Sequence, residues 1–228
     1  MMKRILNTFI KIFYGFLFAI FTMGISTIIS LNSKFIYSFS IDKYNLVKIG
    51  QVSKEMLMKD YSTLINYLQN PFIDKLNFVN FPMSNNGEVH FYEVKKIFLS
   101  IYFITFIIFI FFTILFFIRK YKNEKIHIYK LFNYGANTLI CIISILLSAI
   151  FIDFSKAFII FHKIFFNNNY WIFDERTDPI IKVLPEEVFL LYALVIISII
   201  IIVIFICKFY YYKKKFIKTN KKEKSISV

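Results

Sequence analysis

Four stretches of the chain stay apolar for longer than a soluble core needs. They run from about Ile5 to Leu31, from Ile97 to Ile118, from about Leu131 to Phe151 and from about Val188 to Cys207. A hydrocarbon layer about 30 Å thick takes roughly 20 apolar residues of helix, so each run predicts a membrane-spanning helix. The first opens near the start of the chain, where a signal peptide would stand. Its apolar region is too long for one and lacks a small-x-small cleavage site, so it reads as a helix. The expected order is a first helix in 1–31, a connection over 32–96, a second helix over 97–118 and a short connection over 119–130. A third helix over 131–151, a connection over 152–187, a fourth helix over 188–207 and a tail over 208–228 complete it.

The polar connections carry their own patterns. "KFIYSFSI" alternates with period two and predicts a strand. In "SKEMLMKDYSTLINYLQN" the residues Met56, Leu57, Tyr61, Leu64, Ile65 and Leu68 fall at helical spacing, with Ser53 as N-cap and Pro71 as the stop. "KLNFVNF" reads as a second strand, and "PMSNNGEV" as a turn around Asn86-Gly87. The fold class these patterns predict is an α-helical integral membrane protein: four transmembrane helices with a small α/β extracytoplasmic cap.

Composition agrees. The chain is 58% hydrophobic, against about 45–50% for soluble domains. Its net charge of +14 would suggest nucleic acid in a soluble protein. Here it is better read as topology, because cytoplasmic flanks collect Lys and Arg, and no nucleic-acid partner is expected. Total lysine also follows from an AT-rich composition, so position is what counts. Lys3, Arg4 and Lys11 lie at the first helix, and Arg119, Lys120, Lys122, Lys125 and Lys130 between the second and third. Lys208, Lys213, Lys214, Lys215, Lys218, Lys221, Lys222 and Lys224 follow the fourth. Both termini are therefore expected in the cytoplasm, with 32–96 and 152–187 facing outward. The tail reads as a disordered basic segment near anionic headgroups. Cys141 and Cys207 sit inside apolar runs, and no CxxC or Cys/His cluster suggests a metal.

Polar chemistry concentrates at the outer edges of the helices. His90 precedes the second apolar run and His162 follows the third, while His127 lies among cytoplasmic lysines. Histidine titrates near neutrality and suits acid–base work; each alone is more often an interface residue. His90 and Glu93 are three apart and share a face if the second helix starts early. Trp171 can be an interface anchor or a donor to an anion. Asn168 stands within a run of three asparagines, and Asp174, Asp178 and "LPEE" at 184–187 can simply end the loop and open the fourth helix. No GxSxG serine and no outward cysteine supports an acyl-enzyme. A metal-dependent hydrolase on His90, Glu93, His162 and an Asp, or a scaffold or transporter without catalysis, are the competing classes. Lys11 and Asp153, both near helix ends, are the only charges available for a translocation path.

"EVHFYEVKKIF" and "FHKIFFNNNYWIFDERTDPIIKVLPEEVF" resemble the two signature regions of the integral membrane family of lipoprotein intramolecular transacylases. Glu88, His90, Glu93, Val94 and Lys95 fit the first. Phe161, His162, Phe165, Phe166, Asn168, Trp171, Asp174, Asp178, Pro185 and Glu186 fit the second. "DERTDP" departs from the direct Asp-Pro of many members. The resemblance implies a multi-pass bacterial plasma-membrane enzyme, active on the outer face and needing no cofactor. Its partners would be membrane lipid and a diacylglyceryl-modified lipoprotein, whose sn-2 acyl chain moves to the α-amine of the N-terminal Cys. The product is the lyso-form, and a monomer is expected. The implied site has His90, His162 and Glu93 as catalytic residues. Which histidine is the base stays open; in the assignment the residues suggest first, His90 takes the proton, and His162, Trp171 and Asn168 donate to the oxyanion. Asp174 and Asp178 join the substrate-binding set.

Overall fold

A computed structural model describes residues 2–122 and 128–224. It is all-helical over these residues: α1 (Met2–Asn32), α2 (Lys34–Lys43), α3 (Leu46–Gly50), α4 (Lys54–Gln69), α5 (Asn85–Tyr121), α6 (Ile128–Phe165), a 3-10 turn (Pro179–Val183) and α7 (Glu186–Lys224). By length and composition α1, α5, α6 and α7 can each cross a membrane. The chain forms two compact units.

One unit comprises Met1–Ser26, Ile104–Ser148 and Ile197–Val228. Its helices approach through small residues, as apolar helices in lipid do when they pack by close contact. A Cβ on Gly135 of α6 would lie 2.3 Å from the Phe18 ring of α1. Two buried hydroxyls of α1 are satisfied within their own helix: Thr22 Oγ1 donates to the Phe18 carbonyl at 2.9 Å and Ser26 Oγ to that of Thr22 at 2.7 Å. Lys208 Nζ donates to Asn133 Oδ1 at 3.0 Å and also to Asn137 Oδ1. The expected disordered tail is corrected: α7 continues as helix to Lys224. His127, expected as an uninvolved loop residue, lies outside the described residues.

The other unit comprises Thr27–Phe103 and Ala149–Ile196, and it corrects the α/β expectation. "KFIYSFSI" is helix α2, not a strand. Its buried residues are Ile36, Tyr37, Ser40 and Ile41, a helical spacing hidden beneath the alternating aromatics. Ser40 Oγ donates to the Ile36 carbonyl at 2.8 Å. "KLNFVNF" is irregular and bends at its end, and among the described residues it pairs with no strand. The N–H groups of Val79 and Asn80 donate instead to the Asp60 carboxylate, at 2.6 and 3.1 Å, and the Asn80 amide adds a third bond at 2.8 Å. One buried carboxylate on α4 thus does what a sheet partner would have done. The α4 limits agree with the sequence: Ser53 Oγ accepts the Met56 N–H at 3.2 Å, and the helix ends at Gln69, before extended Asn70 and Pro71. Tyr37 stacks on Tyr61 at 4.2 Å and donates to the Val183 carbonyl at 3.0 Å, tying α2 and α4 to the 3-10 turn.

Candidate active site

Helix α5 begins at Asn85, earlier than its apolar run. The segment expected to be a turn is its capped first turn. Ser84 Oγ accepts the Gly87 N–H at 3.1 Å, and the Asp178 carboxylate accepts the Ser84 N–H at 2.7 Å. Gly87 is required there, since a Cβ would lie 2.4 Å from Asp178 Oδ1. Asp178 is only 2% exposed, and its other oxygen accepts from Thr177 Oγ1 at 2.7 Å. A carboxylate at this end of a helix also suits the helix dipole. The early start puts His90 and Glu93 on one face.

Helix α6 breaks at Asp153, whose backbone is non-helical. Its carboxylate accepts the Lys156 N–H at 2.9 Å and caps the second half, which carries His162. Where the sequence suggested that the helix stops, the chain restarts and runs on to Phe165.

The two histidines meet. His90 is 6% exposed and His162 8%, and their ring centroids are 5.9 Å apart. Phe166 and Phe173 stand edge-on to His90 at 4.8 and 5.4 Å. Phe158 and Trp171 lie 4.2 and 4.7 Å from His162. His162 Nδ1 is 2.7 Å from the Phe158 carbonyl. A carbonyl only accepts, so Nδ1 carries the hydrogen and the neutral ring has its lone pair on Nε2. His90 has no such brace, and its Nδ1 is buried without a partner.

Asn168 joins the two halves. Its amide donates to Glu93 Oε1 at 2.9 Å, and its backbone carbonyl accepts the Trp171 indole N–H at 3.0 Å. The indole hydrogen is therefore already committed, and Trp171 meets His162 through its ring. Asp174 stands apart. It is exposed, and Arg176 binds it in a local turn, at 2.7 Å from Nη2. That guanidinium holds the Asp174 carboxyl down at about 2. The hydrolase set of two histidines, Glu93 and an Asp is not assembled: among the described residues no three His, Cys, Asp or Glu are grouped to share a metal.

Two features, Asp60 and Phe173, escaped the sequence reading, and a third, Lys95, was marked there only by the resemblance, with no role. Asp60 sits on the apolar stripe of α4 between Leu57, Tyr61 and Leu64, and a carboxylate in that register was the available signal. Lys95, 4% exposed, donates to the Ile73 carbonyl and lies 4.4 Å from the Tyr67 ring, fastening α5 to the stretch after α4. Phe173 closes the nest around His90 from a loop with no periodicity to mark it.

A family model described as lipoprotein intramolecular transacylase Lit matches residues 12–189. No curated protein matches the chain. A solved structure of the membrane integral lipoprotein intramolecular transacylase Lit from Bacillus cereus is 29% identical, with a TM-score of 0.82 over 95% of this chain and 98% of that one. Two further structures of that enzyme, one with a histidine changed to arginine and one to alanine, are 30% identical at TM-scores of 0.78. They cover 95% of this chain and 96% and 98% of theirs. With the match spanning most of its length, the chain belongs to the lipoprotein intramolecular transacylase family.

Proposed function

We propose that this protein moves the sn-2 acyl chain of an S-diacylglyceryl-cysteine lipoprotein onto that cysteine's α-amine, giving the N-acyl, S-monoacylglyceryl lyso-form. The carrying observation is the buried histidine pair in its aromatic nest, with the tautomer of His162 fixed by the Phe158 carbonyl. Family membership supplies the reaction class.

The chemistry follows from the groups present. His162 Nε2 takes a proton from the substrate amine, the role of a braced imidazole in acyl transfer. The amine attacks the sn-2 carbonyl carbon. His90, neutral and unbraced, presents an N–H to the oxyanion. The sequence left the base open and put His90 first; the brace on His162 favours the opposite order. Collapse breaks the bond to the glycerol oxygen, which takes the proton back from His162. Amine and ester belong to one molecule, so binding need only fold that molecule on itself. The ring wall excludes water, which would otherwise hydrolyse the ester. Glu93 and Asn168 hold the loop of Trp171 against α5. Asp178 acts through the start of α5, and Asp174 shapes its own turn without touching the substrate.

The site faces outward in this reading, because lysines crowd the other connections, and one chain in contact with membrane lipid contains all the groups used. The test is mass spectrometry of a synthetic diacylated lipopeptide incubated with the purified protein in EDTA. The lyso-form should appear without an added acyl donor, and free fatty acid in its place would overturn the proposal.

A further inference from the structure

A carboxylate oxygen inside this site has no partner: Glu93 Oε2 is buried and unbonded. Its twin, Oε1, is held by the Asn168 amide. The neighbouring lysines are committed elsewhere. Lys95 points to the Ile73 carbonyl and Lys96 lies 4.3 Å from the Tyr92 ring. No ion pair among the described residues reaches Glu93. A buried carboxylate oxygen left unpaired is costly, so the site is built for a cation that the chain itself does not supply.

We propose that Glu93 Oε2 seats the α-ammonium of the substrate's N-terminal cysteine. The inference rests on the transacylase reading and assigns the substrate's charged group to one atom. An N-terminal amine has a pKa of about 8 and arrives mainly as ammonium at neutral pH. Asn168 fixes the carboxylate and also accepts from Trp171, whose ring lies against His162. The seat and the base are therefore held in one network. The ammonium passes one proton to His162 Nε2. That first proton leaves to solvent, the freed lone pair forms the C–N bond, and as the C–O bond to glycerol breaks a second proton passes from the nitrogen through His162 to the glycerol oxygen, leaving one N–H on the amide. The positive charge leaves the site with the proton released to solvent, and no redox partner is needed.

The same charge separates substrate from product. Before reaction the substrate offers an ammonium. Afterwards the nitrogen is a neutral amide, Glu93 loses its partner and the product leaves. Lipoproteins already acylated at nitrogen lack the charge and are excluded as substrates.

The test uses the full chain in detergent and two unreactive probes. One is a dialkyl-ether glyceryl-cysteine lipopeptide with a free α-amine, and the other is its desamino counterpart. Direct binding at pH 7 should favour the amine about 10- to 100-fold, the worth of one charge-assisted hydrogen bond. Glu93→Gln should bring the two probes within about twofold, and Glu93→Asp should keep most of the preference. Equal binding of both probes by the wild type, or an undiminished preference in folded Glu93→Gln, overturns the proposal. If Glu93→Gln does not fold, the wild-type comparison and Glu93→Asp decide it: loss of the preference in folded Glu93→Asp also counts against the seat. Conversion of the ester substrate by wild type is measured alongside. Conversion with equal probe binding sinks only the ammonium seat, whereas failure of conversion sinks the transacylase reading.

Discussion

Asp178 separates a positioning role from a substrate-binding one, and the structure sets the size of the effect. Its carboxylate, 2% exposed, accepts the Ser84 N–H and the Thr177 hydroxyl, both at 2.7 Å. Hydrogen bonds to a charged group contribute about 1.5–3 kcal/mol each. Asp178→Ala therefore removes about 3–6 kcal/mol and frees the start of the helix that carries His90. Asp178→Asn keeps an oxygen for Ser84 and places an amide beside the Thr177 hydroxyl, which can accept from it. Its expected cost is about 1 kcal/mol. For a chain of this size that lowers the unfolding midpoint by about 2–4 °C. The assay pairs thermal unfolding of the purified protein with the lyso-to-diacyl ratio of a lipopeptide at matched protein. Asp178→Asn should be slightly less stable and close to fully active; Asp178→Ala should lose stability and activity together. An Asp178→Asn protein that unfolds at the wild-type temperature yet makes no lyso-form would refute the reasoning, because the carboxylate would then be touching substrate.

Glutamine replacements divide the histidine roles: His90→Gln keeps an N–H donor and should retain measurable conversion, whereas His162→Gln has no base and should lose 10²–10⁴-fold. Equal activity of the two in the lipopeptide assay would end that assignment, and His127→Ala should match wild type. Burial raises the phenols of Tyr37 and Tyr61, so their contribution to stability is complete below about pH 10, the unfolded value, and falls as pH rises toward the folded ones. The unfolding midpoint should hold from pH 8 to about 10 and then drop, and the phenolate absorbance step near pH 10 should be the same in Tyr61→Phe and wild type; a smaller step in the variant would mean that Tyr61 ionises normally. Asn86 is exposed at the start of α5, so Asn86→Cys in a cysteine-free background should react with an impermeant thiol reagent added to whole cells. Labelling only after permeabilisation would reverse the orientation.

The four long helices are written in the sequence because apolar length is a local property: about 20 consecutive apolar residues have no other stable home. The limits of α4 are local for the same reason, since Ser53 and Pro71 act through their own backbone neighbours. His90, Glu93, His162, Asn168 and Trp171 could be singled out as polar groups at the edges of apolar runs, sharpened by their resemblance to a known family. The remainder depended on partners distant in sequence. "KFIYSFSI" has a period-two aromatic pattern, and only its packing against α4 and the 3-10 turn selected the helical face of Ile36, Tyr37 and Ile41. "KLNFVNF" lost its strand because Asp60, some twenty residues earlier, supplies acceptors that a neighbouring strand would have supplied. The Asn86-Gly87 pair became a helix start because Asp178, on the far side of two long helices in the chain, accepts the Ser84 N–H. Asp174 and Asp178 look alike in sequence, but burial made one a fastener of α5 and exposure left the other to Arg176. Which nitrogen of His162 carries its hydrogen was decided by one carbonyl at 2.7 Å, because a tautomer is set by a contact and not by composition.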